Sequence, residues 1–217
     1  TGILLEIKNG KVNFVSSDTH RLCYTYVEDI ETNVEKWESI IPAKSLKEVA
    51  FILDEDEDIE IHITSNRILF KSKNIKVVSR LIEGKFVNYE QVIPKDFSNE
   101  INIMKKSLLD SLERAFVLTR DELKSKLNTV KFDIKEKVLI LSSKASEVGD
   151  IYEEIPIYLT GEGLELGFNG KYLIEILRNI EGDEITLKIN DPQSPGIING
   201  NQGNEKFIYL ILPVRLQ

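Results

Sequence analysis

Three stretches of this chain recur at nearly one spacing. Ile7-Lys8-Asn9-Gly10-Lys11-Val12 matches Ile134-Lys135-Glu136-Lys137-Val138, with one residue fewer in the second turn. Pro42-Ala43-Lys44-Ser45-Leu46-Lys47-Glu48 matches Asn169-Gly170-Lys171-Tyr172-Leu173-Ile174-Glu175, and Ile59-Glu60-Ile61 matches Ile185-Thr186-Leu187. The separations are 127, 127 and 126 residues. A shared spacing across a hairpin, a helix start and a strand predicts two copies of one α+β domain. The polar stretch Lys95–Asn99 places the boundary, giving domains 1–96 and 97–217. The second copy has a helical segment ahead of its first strand pair that the first copy lacks. The first domain is therefore expected to be incomplete at its N-terminus, and the chain to be a piece of something longer.

Strands dominate the pattern. Apolar and polar residues alternate over Ile59–Ile63, Val130–Ile134 and Ile185–Ile189, and Val138–Leu141 follows on as a further strand. Turn signals at Asn9-Gly10, Ser65-Asn66, Glu181-Gly182-Asp183 and Asn199-Gly200 separate such runs. Alternation predicts antiparallel sheets with one buried face. Three segments carry a helical stripe instead: Pro42–Leu53, Lys105–Arg120 with Ser107 as N-cap, and Asn169–Ile180 with Asn169 as N-cap. Each is expected to lie across a sheet.

Charge divides unevenly between these elements. The three helices hold eight Lys or Arg against four Asp or Glu, a balance of +4. The chain as a whole is at −8, so the remainder carries −12. Three helices on one side would make a basic surface on an acidic body, suited to phosphates and not to reading bases. Ordinary solvated helix faces are the plainer explanation of the same charges.

Little in the sequence supports catalysis. One cysteine, Cys23, excludes an internal disulfide and a Cys-rich zinc site, and reads as a small core residue. Asp54–Asp58 has Ile59 and Ser65 where a calcium loop needs Gly and Glu, and reads as a solvated turn. Gly161, Gly163, Gly167 and Gly170 do not form G-x-G-x-x-G and read as a turn and helix start. Asp18 and His20 lie within three residues of Ser17, too close for a triad carried on separate elements. His62 falls on the polar phase of a strand. No catalytic residue, metal or cofactor is expected. The longest apolar run, Phe207–Val214, is far shorter than the roughly 20 residues of a membrane span. A reducing, cytoplasmic setting is the default. Beyond its last strand the chain runs into Pro213-Val214-Arg215-Leu216, whose exposed apolar side chains suggest a binding groove.

Four motifs, in order along the chain, resemble the bacterial DNA polymerase III beta-subunit family, the beta sliding clamps. Ser17-Asp18-Thr19-His20-Arg21-Leu22 is similar to T-D-G-H-R-L. Ser79-Arg80-Leu81-Ile82-Glu83-Gly84-Lys85-Phe86-Val87-Asn88-Tyr89 is similar to S-R-L-I-D-G-K-F-P-D-Y. Gly167-Phe168-Asn169 with Lys171-Tyr172-Leu173 is similar to G-F-N-x-x-Y-L, and Leu212-Pro213-Val214-Arg215-Leu216 to the terminal M-P-M-R-L. The resemblance implies an α+β DNA-clamp fold with sheets outside and helices on the inner face. It implies most of the second and the whole third of three domains, in a subunit that forms a head-to-tail homodimeric ring.

The function this implies is that of a processivity factor in DNA replication, not an enzyme. The ring encircles double-stranded DNA without sequence preference. It tethers the DNA polymerase III catalytic subunit, the clamp loader, and other clamp-binding polymerases and repair proteins. Partners insert a short apolar peptide into a groove between the second and third domains. By motif position that groove takes Ser17, Thr19, His20, Arg21 and Leu22, then Val87, Gln91 and Val92, then Pro195 and Leu210, Ile211, Leu212, Pro213, Val214, Arg215 and Leu216. Aliphatic side chains would bury a partner Leu or Phe, worth about 1.5–3 kcal/mol each, with Arg21 and Arg215 holding its polar ends. Lys44 matches a DNA-facing lysine, and Lys171 is its counterpart in the repeat. Val117 and Leu118 fall at the ring interface, whose other side lies on the first domain. Thr19 stands where the family has Gly, Val87 where it has Pro, and Gln91 where some members have Arg. A regulatory DNA-binding protein with a basic helical face is the rival reading, and an enzyme the third.

Overall fold

The first hairpin turns on Asn9-Gly10. Asn9 (φ 55°) and Gly10 (φ 73°) are both left-handed, the geometry of a tight two-residue β-turn. They join Gly2–Lys8 (β1) to Lys11–Ser17 (β2). The computed structural model, which describes residues 2–28, 30–53, 58–119, 128–145, 149–202 and 205–216, divides into two units. The first is Thr1–Ser17 with Tyr24–Glu90, the second Asp18–Cys23 with Gln91–Gln217.

In the first unit, β2, β1 and Lys36–Pro42 (β4) pair antiparallel, and Arg21–Val27 (β3) is the neighbour of β2. Ala43–Ile52 (α1) follows β4 directly. Glu60–Ile63 (β5), Arg67–Lys71 (β6) and Lys76–Arg80 (β7) make a second antiparallel sheet. The core lies between the two sheets: Leu5 and Ile41 from one, Ile68 and Phe70 from the other, with Val49 of α1 among them.

The second unit repeats this plan and adds to it. It runs Asn99–Met104 (β8), Lys105–Thr119 (α2), Thr129–Lys135 (β9), Val138–Ala145 (β10), Gly149–Thr160 (β11), Leu164–Asn169 (β12), Gly170–Leu177 (α3), Glu184–Ile189 (β13), Gly196–Gln202 (β14) and Glu205–Ile211 (β15). The order across its sheet is β12-β9-β10-β11-β8-β13-β14-β15. Residues 149–156 of β11 pair with β10, and residues 157–160 with β8. Helices α2 and α3 pack on one face through Leu108, Leu112, Ala115, Leu173 and Leu177. Phe132 and Phe168 meet edge to face at 5.4 Å in the middle of this core.

Register carries the repeat further than the sequence spacing did. Gly2 pairs with Pro42 as Thr129 pairs with Asn169, and Lys8 with Lys11 as Lys135 with Val138. Each of these pairs maps onto its counterpart by 127 residues. The two hairpin turns are therefore equal in length, contrary to the expected one-residue difference. Glu136-Lys137 closes its turn without left-handed residues.

Other expectations change in detail. Ser107 is not a cap, because α2 starts at Lys105, whose N–H is satisfied by the Asp183 carbonyl at 2.8 Å. Asn169 does cap α3, its Oδ1 accepting from the Lys171 N–H at 3.1 Å. Asn199-Gly200 lies inside β14 and is no turn; Gly200 sits where a Cβ would strike the Phe207 ring at 2.9 Å. Ile61 is 37% exposed although it shares a face with Phe70, because β5 is an edge strand, whereas its counterpart Leu187 is buried between two neighbours. The acidic residues 54–57 lie outside the described residues.

Candidate functional site

The turn between β2 and β3 is built on Asp18. Its Oδ1 accepts from the backbone N–H of His20 at 2.8 Å and of Arg21 at 2.9 Å, the geometry of an Asx-turn. Thr19 at the tip does not have positive φ, so this turn has no need of glycine there. Arg21 then turns back over the second unit. Its Nε donates to Asp18 Oδ2 at 3.1 Å, its Nη1 to Glu175 Oε2 at 2.5 Å, and its guanidinium lies 4.2 Å from the centre of the Tyr172 ring. His20 also stacks on that ring, with the centroids 6.1 Å apart. Tyr209 donates its hydroxyl hydrogen to the Tyr172 carbonyl at 3.2 Å.

Burial alone would pull the Arg21 guanidinium down, but its bonds to Glu175, Tyr209 and Asp18 push it up. Burial pushes the Tyr209 phenol up to about 12. Burial also raises the Asp18 carboxyl, yet the His20 and Arg21 donors outweigh it and hold the group below the usual carboxylate range. A depressed folded value means Asp18 contributes stability above its unfolded pKa, about 3.9, and loses it as pH falls through the folded value. Asp18→Asn is expected to flatten the acid side of a plot of urea midpoint against pH, between about pH 5 and pH 2. Parallel acid limbs for the two proteins would refute the assignment.

The chain end docks onto this cluster. The Leu212 N–H donates to the His20 carbonyl and the Val214 N–H to the Gly167 carbonyl, both at 2.8 Å. Gly167 is essential to that approach: a Cβ on it would lie 2.8 Å from the Val214 carbonyl oxygen and 2.9 Å from Leu216 Cδ2. Leu212 and Leu216 remain 37% and 38% exposed, Pro213 and Val214 half-buried, and Arg215 exposed. Leu22, Leu210 and Ile211 are buried and present almost no surface to a partner. Pro195 precedes Gly196, which pairs with Ile211, so it stands at the same end of the sheet. Gln91 and Val92 are exposed, as are Ser17 and Val87 of the first unit.

The structure thus brings His20, Arg21, Leu22 and Leu210–Leu216 together within the second unit. It also adds Gly167, Tyr172, Glu175 and Tyr209, which sequence reasoning did not assign to the site. A signal existed: Tyr172 lies in the G-F-N-x-x-Y-L-like motif, and Glu175 stands three residues on, on the same helix face. Arg21 is committed to four groups, whereas Arg215 is exposed next to Leu216.

The helix charges are partly spent. Arg114 pairs with Glu153 at 2.5 Å, Arg178 with Glu113 at 2.9 Å, and Lys105 donates to the Ile180 carbonyl at 2.7 Å. Lys44 and Lys171 are exposed, Lys171 lying 3.9 Å from Glu175. Val117 is 69% exposed, and the Leu118 side chain lies outside the described residues, as does Arg120. His62 is exposed beside Glu60, and Cys23 packs against the second core, where burial pushes its thiol up. Among the described residues no His, Cys, Asp and Glu group could hold a metal, and no helix is long and apolar enough to cross a membrane.

A repeated α+β domain of antiparallel sheets with a few helices is the architecture of the DNA-clamp proteins. Family models agree on which one: the central domain of the DNA polymerase III beta subunit matches residues 1–88, and its C-terminal domain residues 90–215. The chain belongs to the DNA polymerase III beta-subunit family. Its relatives include the beta sliding clamps of Streptococcus pneumoniae serotype 4, 33% identical, and Bacillus subtilis strain 168, 32% identical, each over 99% of this chain and 57% of the relative. The crystal structure of the Bacillus subtilis DNA polymerase sliding clamp superimposes with a TM-score of 0.90 at 31% identity, over 100% of this chain and 57% of that one. The chain therefore spans somewhat over half the length of these relatives.

Proposed function

We propose that this protein acts as a processivity factor of DNA replication. It is a non-catalytic, cytoplasmic clamp subunit that encircles duplex DNA as part of a homodimeric ring and needs no cofactor. Residues 1–96 serve as the middle and 97–217 as the C-terminal clamp domain. Partners are the DNA polymerase III catalytic subunit, the clamp loader, and other clamp-binding polymerases and repair proteins. The observation that carries this reading is the strapped chain end, which leaves Leu212 and Leu216 exposed beside the Arg21–Tyr172 stack. A partner peptide would lay an apolar side chain there and set a polar end against Arg215. Ser17, Thr19, Val87, Gln91, Val92 and Pro195 join the surface by family resemblance.

Exposed Lys44 and Lys171 support a DNA-facing role, and exposed Val117 supports a ring-interface role shared with Leu118. Two lysines give modest, non-specific attraction to phosphate, so encirclement, not affinity, retains the DNA.

Calorimetric titration with a Gln-Leu-x-Leu-Phe peptide tests the reading. Binding in the micromolar range, about −8 kcal/mol, is expected for the wild type and is lost in the Arg215→Ala, Leu216→Ala double variant. Wild-type affinity in that variant would sink the proposal. Tight sequence-specific DNA binding would favour a regulatory DNA-binding protein instead.

A further inference from the structure

Glu6 is a nearly buried carboxylate that makes no ion pair among the described residues. Its neighbours Leu5 and Ile7 face the core of the first unit, so Glu6 points to the opposite face of β1. There it accepts from the Tyr89 hydroxyl at 2.7 Å and from Asn13 Nδ2 at 3.1 Å. Tyr24 fixes the Asn13 amide by donating its hydroxyl hydrogen to Oδ1 at 3.0 Å, and its ring lies 5.1 Å from that of Tyr89. On the rim Lys8 Nζ meets Glu90 Oε1 at 2.9 Å. A buried carboxylate is tolerated only when such donors replace its water, and bonds to a charged acceptor are the stronger ones.

What this cluster holds is a segment with little else to hold it. Between Ile82, bridged to Ile40, and Asn99, where β8 begins, no residue joins a sheet. Among residues 81–98, Tyr89 alone is buried. Gln91 belongs to the same 3-10 turn, Tyr89–Gln91, and Val87 and Val92 stand two and three residues from Tyr89 in the chain; all three are exposed. Burial and the bond to Glu6 push the Tyr89 phenol up, so the hydroxyl stays a donor across the physiological range.

We propose that Glu6 and Tyr89 form a clasp that positions Val87, Gln91 and Val92 for partner peptides, with Glu6 as the positioning residue. This rests on the reading of the partner surface given above. Without the clasp those three side chains would be ordered only as the peptide binds, and the cost of ordering would appear as lost affinity.

Two variants, each nearly isosteric, test it on the full chain: Tyr89→Phe removes the donor and keeps the ring, and Glu6→Gln removes the charge. Amide hydrogen exchange over residues 87–92 is expected to quicken about tenfold in each, the order of a lost hydrogen bond to a charged acceptor. Affinity for the Gln-Leu-x-Leu-Phe peptide is expected to fall about three- to tenfold, with the double variant little worse than either single one. Unchanged exchange, faster exchange with unchanged affinity, or fully additive effects would each overturn the proposal. A wild type that binds no peptide would defeat the partner-surface reading and the positioning role with it, while the exchange data would still decide whether the clasp exists.

Discussion

Gly167→Ala is expected to weaken partner-peptide binding at least tenfold while leaving the second unit folded. The added methyl would sit 2.8 Å from the Val214 carbonyl oxygen and 2.9 Å from Leu216 Cδ2. The first contact is with backbone and cannot be relieved by a side-chain rotation, so the strap itself has to lift. Lifting it breaks the bond from the Val214 N–H to the Gly167 carbonyl and displaces Leu216. Losing one buried apolar contact of the peptide costs about 1.5–3 kcal/mol, which is about tenfold to a hundredfold in affinity. The backbone of β12 at Gly167 is not in the left-handed region, so alanine brings no conformational strain of its own. Titration calorimetry with the peptide, alongside far-UV circular dichroism and the melting temperature, checks both halves. Unaltered affinity would show that the strap plays no part in recognition.

Phe132→Ala is expected to cost about 3–5 kcal/mol, the range for an aromatic truncated in a packed core. Phe132 is fully buried and contacts Phe168 edge to face. Its counterpart in the first unit is Leu5, and that of Phe168 is Ile41, so the second core is built on an aromatic pair where the first uses aliphatics. The loss is read from urea unfolding, as a shifted midpoint of the transition that reports the second unit. A cost below about 1 kcal/mol would mean the cavity collapses freely or that this core is not the one holding the unit together.

Legibility differed by kind of feature. The strands Val130–Ile134 and Ile185–Ile189 were plain from alternation, because each buries one face. The edge strand β5 had the same pattern, but Ile61 is exposed since no neighbour covers that side. Asn169 was legible as a cap because its amide acts within its own turn. Ser107 was misplaced because α2 begins straight out of β8, its first N–H bonded to Asp183, 78 residues on. Asn199-Gly200 has the composition of a turn, yet the glycine serves instead to admit the Phe207 ring.

The candidate site divides in the same way. Thr19, His20 and Arg21 could be picked out because the motif is contiguous and its Asx-turn is local. The role of Arg21 could not: its bond to Glu175, 154 residues away, and its place over Tyr172 exist only after folding. The sequence by itself determined the repeat, the antiparallel class, the family and the apolar chain end, because each rests on neighbours in the chain or on a fixed spacing. Only the tertiary structure decided which of those residues stay exposed, which cations are already paired, and that a buried carboxylate clasps Tyr89. Those depend on contacts between residues far apart in the chain, where burial and pairing are settled by packing and not by local pattern.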